Sequence, residues 1–456
     1  VSPRTVDVAH LLIALVALLG AAHIGGYLFN AIRQPPVIGE ILGGLCLGPT
    51  VLGQLAPGAQ HWLFPSTGPT PGVLGALYNI GLLLLVYLTG MEMRGRRART
   101  ERRTVVWVAV SGLVLPFLFG LLVATAVDLN GLAGPHGSPA TLALVFGMAV
   151  AITSIPVISR IMIDLGVIDT AFARIVLAVA VVEDILLYVV LAVTLGMAQA
   201  RTGDSYGLPK LLGIDTVGES VAYFTIAPLI FMLPFAWRGR MLFDRLASAR
   251  FNLIEGRAPA AFRMILVFVM CVAAIGLGID PVFGALMAGL CASGGAREGA
   301  NPLPAGGGGS GAALREMTLA FFVPVYFAIV GLRLDLARHL DPVFFCWFLA
   351  FACTVKSISV WLGARLAGQD NSSAANIAIA MNARGGPGIV LASTSFAAGV
   401  INENLFTALV LLSLVTSQAA GAWLGRIVRR GLPLTVPEKP RPQESDEAED
   451  AARIPA

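Results

Sequence analysis

The sequence predicts an all-α polytopic membrane protein of about 13 spans. Three observations carry this. Apolar residues make up 56% of the 456 and charged residues only 13%, about half the roughly 25% charged share of a soluble domain. The apolar residues form continuous runs matching the about 20 residues a bilayer-spanning helix needs, without the alternation of a membrane β-barrel. Basic residues gather on every second loop between those runs. The same composition excludes a soluble globular enzyme, a disordered chain and a disulfide scaffold.

The spans are expected at 8–29, 36–56, 72–93, 104–127, 139–163, 173–199, 217–237, 260–278, 281–296, 316–334, 342–364, 374–399 and 403–425. Asp280-Pro281 splits an apolar stretch of about 36 residues, too long for one helix, and aspartate before proline is a turn signal. Span 1 is read as a membrane helix and not as a signal peptide. Its leading segment carries one arginine and an aspartate, and the charge alternation needs it.

Basic loops face the cytoplasm. Arg94–Arg103, Arg238–Arg263, the tail from Arg426, and Arg33, Arg160, Arg174, Arg297, Arg315 and Arg365 place 24 of the 31 Lys and Arg on one side. The other side holds five, and Lys356 and Arg384 fall inside spans. The expected orientation is N-terminus outside and C-terminus cytoplasmic, in a bacterial plasma membrane. The arginine-rich loops are read as topology signals, with the lipid bilayer and not nucleic acid as partner.

Two short matches suggest an internal repeat. Gly39-Glu-Ile-Leu-Gly-Gly-Leu-Cys46 of span 2 matches Gly284-Ala-Leu-Met-Ala-Gly-Leu-Cys291 of span 9, and Gly90-Met-Glu-Met93 matches Gly331-Leu-Arg-Leu334. Both pair a span with the one seven later, so the copies cross the membrane in opposite senses. The expected organisation is a first repeat over 1–199, a linker helix and cytoplasmic loop over 200–259, a second, inverted repeat over 260–430, and a short tail over 431–456. Inverted repeats point to a secondary transporter with a midplane site at broken helices.

Two interrupted spans occupy equivalent places. Span 5 carries Thr153-Ser154-Ile-Pro156, where proline removes a backbone donor and two hydroxyls stand beside it. Span 12 carries Asn382-Ala-Arg384-Gly385-Gly386-Pro387-Gly388, which argues against a continuous helix. Broken helices present partial charges inside the membrane that can balance ions.

Four charges lie where hydrocarbon should exclude them: Glu183 and Asp184 in span 6, Lys356 in span 11 and Arg384 in the span 12 break. Each costs about 2.5–3.5 kcal/mol at a helix centre. Adjacent helical residues point about 100° apart, so Glu183 and Asp184 do not easily share a partner. Two acids against one lysine leave a carboxylate over. Such a carboxylate can hold a proton or a hard, oxygen-seeking cation, but not both comfortably. That competition is a complete exchange mechanism. The charge-compensating residues are then Lys356 and Arg384, and the helix-break residues Pro156, Asn382, Gly385, Gly386 and Pro387.

These residues resemble a known family. Arg33-Gln-Pro-Pro-Val-Ile-Gly-Glu-Ile-Leu-Gly-Gly-Leu-Cys-Leu-Gly-Pro49 is similar to the second-span signature of the monovalent cation:proton antiporter-2 family, which includes the plant cation/H⁺ exchangers. Thr153–Arg160, Glu183-Asp184, Phe322–Gly331 and Met381–Gly385 resemble its further signatures in order, over about residues 8–425. The resemblance implies exchange of Na⁺ or K⁺ for protons, an inverted-repeat sodium/proton antiporter fold, a homodimer, and a mobile core domain moving against a dimerisation domain. It implies that Asp184 carries ion and proton, with Thr153 and Ser154 in the unwound segment near the ion. Glu183 falls on a variable position that is Asp in electrogenic bacterial members, Asn in plant exchangers and Gln in glutathione-gated efflux systems. Lys356 falls on the basic residue that pairs with it. Glutamate at 183 departs from that set but keeps the charge.

No cofactor is expected. The loop Gly299–Ala313 lacks G-K-[S/T] and reads as a flexible linker, and the tail after Arg430 is too short for a nucleotide-binding domain. Cys46, Cys271, Cys291, Cys346 and Cys353 lie in apolar runs without C-x-x-C and read as small core residues. A membrane prenyltransferase would need an aspartate-rich D-D-x-x-D or D-x-x-x-D pair at its spans, and here that spacing occurs in the tail, at Asp446 and Asp450. An ammonium or organic cation as cargo, or a transport-inactive ion or pH sensor, are the remaining alternatives.

Overall fold

The computed structural model describes residues 5–32, 34–92, 101–127, 129–202, 208–212, 217–249, 253–292 and 312–435. The arginine run 94–99, most of the glycine-rich loop and the tail from 436 lie outside them.

The chain folds as α-helices: α1 (Thr5–Ala31), α2 (Pro36–Leu47), α3 (Pro69–Glu92), α4 (Arg102–Ala126), α5 (Pro139–Ala151), α6 (Ile155–Asp164), α7 (Ala171–Thr202), α8 (Val217–Ala247), α9 (Pro259–Gly276), α10 (Pro281–Ala292), α11 (Val323–Leu332), α12 (Pro342–Leu366), α13 (Asn371–Ala380), α14 (Gly385–Ala397) and α15 (Glu403–Arg429), with short turns between. Among the described residues nine helices are long and apolar enough to cross a membrane, or ten with the bent α8. The other expected spans are the broken pairs α5–α6 and α13–α14 and the short α10. Exposed apolar side chains such as Leu12, Val16 and Ile24 on α1 and Val269 and Val272 on α9 cover the outside, as a lipid-facing surface requires.

Helix starts follow local chemistry. Ser138 and Thr141 form a capping box before α5, and Asp341 caps α12 by accepting from the Val343 and Phe344 amides. Proline sits in the first turn of α5, α9 and α12, where its missing donor is not needed. The apolar stretch around Asp280-Pro281 divides as its turn signal predicts. Gly278 takes φ +69°, and the Asp280 carboxylate accepts from the Val282 amide at 2.9 Å where α10 begins.

Two stretches differ from expectation. The helix expected at 217–237 continues to Ala247 and bends by 57° near residue 236. Pro228 and Pro234 lie inside it and loosen its backbone ladder. Of the cysteines, Cys271 and Cys291 are buried, but Cys46 and Cys346 are exposed on the apolar outside. A membrane protein offers cysteine an apolar setting on both faces of a helix.

The repeated glycines are packing devices. Gly44 of α2 lies against the Ala328 backbone of α11, and Gly331 of α11 against Ile41 of α2. The same relation recurs between Gly289 of α10 and Tyr87 of α3, and between Gly90 of α3 and Leu286 of α10. Gly39 meets Gly25 as Gly284 meets Met270. Small residues permit this backbone contact where lipid offers no hydrophobic drive between helices. The matched glycines thus hold α2 against α11 and α3 against α10 at backbone contact.

Candidate functional site

The first break is Ile152–Ser154, between α5 and α6. Pro156 is in the first turn of α6, so the chain opens just before the proline, where a following Pro disfavours helix. The second break is Met381–Arg384. Gly385, Gly386, Pro387 and Gly388, which argue against a continuous helix, form the first turn of α14 directly after the break. Gly385 has φ +33° and packs against Ser154 and Val157, a position that excludes a side chain.

The two breaks satisfy each other. The Thr153 hydroxyl donates to the Met381 carbonyl and the Ser154 amide to the Ala383 carbonyl, both at 2.6 Å. In return Arg384 Nε donates to the Ala149 carbonyl at 3.0 Å and Nη2 to the Val150 carbonyl at 3.1 Å. Arg384 also reaches the Ala352 and Asn382 carbonyls and Asn382 Oδ1. The Gly385 amide donates to Ser417 Oγ at 3.0 Å, and Ser154 Oγ accepts from the Val157 amide. Asn382 Nδ2 donates to Ser357 Oγ and the Ala378 carbonyl. Helix ends leave carbonyls without partners, and here side chains and backbone of the opposite half supply the donors.

Lys356 of α12 and Glu183 of α7 form an ion pair with no exposed surface, Nζ lying 2.9 Å from both carboxylate oxygens. Lys356 also donates to the Ala151 carbonyl at 2.5 Å and the Gly112 carbonyl at 2.8 Å. Lys356 and Arg384 thus place two positive charges at the C-terminal end of α5, the negative end of its dipole. A Cβ on Gly112 would stand 3.0 Å from Glu183 Oε1 and 2.9 Å from Val360 Cγ2, so a larger residue there would press on the pair.

Asp184 is placed differently. It is 1% exposed, and neither carboxylate oxygen has a hydrogen-bond partner among the described residues. It lines a cavity of about 10 Å³ with Met148, Ile152, Tyr188, Leu191 and Pro387, room for about one water-sized occupant. Of the expected ion-site residues, Asp184 reaches this cavity. Glu183 is held by Lys356, while Thr153 and Ser154 serve the crossing. Sequence reasoning passed over Gly112, Ser357, Ser417 and Tyr188. For Tyr188 a signal existed: it lies four residues after Asp184, on the same helix face. Among the described residues no group of three His, Cys, Asp or Glu could hold a metal ion.

The family described as "Sodium/hydrogen exchanger, transmembrane" matches residues 14–430. The chain is 29% identical over 416 residues to the Na(+)/H(+) antiporter NhaS4 of Synechocystis, covering 88% of this chain and 93% of that one. It is 27% identical to the K(+)/H(+) antiporter 1 of Saccharomyces cerevisiae, covering 85% of this chain but only 43% of the yeast protein. The solved sodium proton antiporter MjNhaP1 of Methanocaldococcus jannaschii shares the fold, with TM-score 0.58 at 15% identity over 92% of this chain and 99% of that chain.

Proposed function

The chain belongs to the sodium/hydrogen exchanger family, and on that premise we propose that it exchanges its cation for protons by competition at Asp184. It is a multi-pass secondary transporter of monovalent cations and protons, not an enzyme. One observation carries the choice of residue: Asp184 is the mid-span carboxylate left without a partner once Lys356 has taken Glu183.

The cycle follows from charge. An ionised Asp184 offers a hard oxygen pair and one negative charge to a desolvated cation. A proton neutralises the same group. Either occupant makes the site electrically acceptable to the membrane interior, and an empty ionised site does not cross. Cation and proton therefore move in opposite directions on one carrier. Lys356, Glu183 and Arg384 hold the crossing without taking part in loading, so the half-helix ends stay balanced throughout.

The wider reading is a homodimer in a bacterial plasma membrane, N-terminus outside and C-terminus cytoplasmic. Repeats over 1–199 and 260–430 are joined by the segment 200–259, with a cytoplasmic tail over 431–456. Basic residues on alternate loops support the orientation.

The test is proton flux in proteoliposomes with a preset pH gradient, with Na⁺, K⁺, Li⁺, ammonium or choline added to wild type and Asp184→Asn. Collapse of the gradient by a small cation in wild type alone supports the reading and names the ion. Full activity in Asp184→Asn removes the carboxylate mechanism. Response to ammonium or an organic cation alone changes the cargo, and silence to every cation favours a sensor.

A further inference from the structure

The cavity beside Asp184 holds a second polar group that the exchange mechanism does not use. Tyr188 is 5% exposed, and its hydroxyl has no hydrogen-bond partner among the described residues. It lines the same cavity. It lies four positions after Asp184 on α7, so both side chains leave one face of the helix. Its ring is seated by an edge contact with Phe283 of α10, centroids 6.4 Å apart at 88°. A buried phenol normally finds a partner, and one left without is a group awaiting a ligand or an unexplained cost.

The rest of the wall narrows the choice of ligand. The other side chains there are Met148, Ile152, Leu191, Pro387 and two leucines. Asp184 and Tyr188 therefore supply all the side-chain oxygen. At about 10 Å³ there is room for about one water-sized occupant and not for a hydration shell. A monovalent cation entering must exchange water oxygens for wall oxygens, and hard cations take oxygen ligands.

We propose that Tyr188 is a specificity-determining residue whose phenolic oxygen coordinates the transported cation together with the Asp184 carboxylate. This rests on the reading that Asp184 carries the ion. The carboxylate supplies charge, which a proton can replace. The phenol supplies a neutral oxygen at a fixed reach, set by the Phe283 contact, which a proton does not need. Tyr188 therefore acts on the cation and on the choice between cations, more than on the proton.

The test compares wild type, Tyr188→Phe and Asp184→Asn in proteoliposomes, measuring the KM for Na⁺, K⁺ and Li⁺ and the maximal rate for each. Tyr188→Phe keeps the ring and its seat. It is expected to raise the KM for the preferred cation about five- to tenfold, the scale of one lost buried polar contact. The KM ratios among the three ions should change and maximal rate stay within about threefold of wild type, the surplus over the KM effect being the room left for altered packing. Loss of packing alone would lower the rate without changing those ratios. Unchanged KM values and ratios, with Asp184→Asn inactive, overturn the Tyr188 assignment and leave the carrier reading intact. Activity in Asp184→Asn removes the carrier reading itself. Failure of Tyr188→Phe to give monodisperse protein also overturns the assignment, because it means the hydroxyl serves the fold.

Discussion

The Arg384 guanidinium donates to the Ala149 carbonyl at 3.0 Å, so the break in one half of the molecule closes the helix end exposed by the break in the other. The relation is reciprocal, since Thr153 and Ser154 of the first break serve the Met381 and Ala383 carbonyls of the second. Unwound backbone inside a membrane is tolerated where protein satisfies it. Here the two halves do this for each other, and the carboxylate of Asp184 is left open beside them.

Replacing Arg384 with lysine tests that closure. A planar fork reaching the Ala149, Val150, Ala352 and Asn382 carbonyls cannot be copied by a compact ammonium. Arg384→Lys is expected to lose about 1.5–3 kcal/mol, the scale of a charge-assisted hydrogen bond left unmade, and Arg384→Met more. Melting of the detergent-solubilised protein, followed by intrinsic fluorescence, reads both. Arg384→Lys melting with wild type would mean that the fork contributes nothing.

The Glu183–Lys356 pair makes a different prediction. Both side chains are 0% exposed, so removing one leaves an uncompensated charge. Lys356→Ala is expected to lower stability by about 3–5 kcal/mol, while replacing both partners with apolar residues of similar size costs far less. A Glu183→Leu/Lys356→Met protein should therefore melt above Lys356→Ala. On the proposed mechanism it should still exchange ions, because Asp184 is untouched. A double variant that melts as low as Lys356→Ala would show that removing the stranded charge recovers no stability, and would refute the argument.

Much of this was legible in the sequence. Asp280-Pro281 divides its helix where the dipeptide says. Charges at 183, 184, 356 and 384 stand out because hydrocarbon penalises them. The finer placement was not legible. Pro156 and Gly385–Gly388 marked both breaks, yet the open residues precede them, because proline and glycine here start a helix as well as end one. Glycine's use at 385 is close approach to Ser154, which depends on a segment 231 positions away in sequence. Which acid Lys356 would take also depended on helix rotation, and rotation is set by packing. The continuation of α8 to Ala247 carries Arg238, Arg240, Asp244 and Arg245, so the span signal stopped short of the helix.

The doubled glycine contacts predict which glycines are irreplaceable. Alanine at Gly44, Gly289 or Gly331 would press a methyl into the backbone of Ala328, Tyr87 or Ile41, and backbone in a packed helix cannot yield cheaply. Each is expected to reduce the yield of monodisperse protein severely. Alanine at Gly20 or Gly276 meets nothing within 4 Å and should stay within about 0.5 kcal/mol of wild type, as surface changes do. Size-exclusion profiles of the five variants check this, and normal assembly of Gly331→Ala would show the α2–α11 contact to be looser than described.

Asp370 gives a prediction in pH. It caps α13 outside the membrane spans, its carboxylate accepting from the Ser372 amide at 2.9 Å and the Ser373 amide at 3.3 Å. The hydrogen bond with Ser373 holds its pKa below the ordinary carboxylate value, because these bonds favour the charged form. A carboxylate depressed in the folded state contributes stability that is whole above its unfolded pKa and is lost as pH falls through the folded one. Near neutral pH, Asp370→Ala should therefore cost about 0.5–2 kcal/mol, the usual worth of an N-cap. Asp370→Asn keeps a cap and should cost less. As pH drops below the ordinary carboxylate range the gap between wild type and Asp370→Ala should narrow, while that between Asp370→Asn and Asp370→Ala stays constant. Melting curves at matched ionic strength follow both gaps. A wild-type advantage over Asp370→Ala that grows with acid would mean that the folded protein favours the protonated carboxyl, the reverse of what the Ser372 and Ser373 amides require.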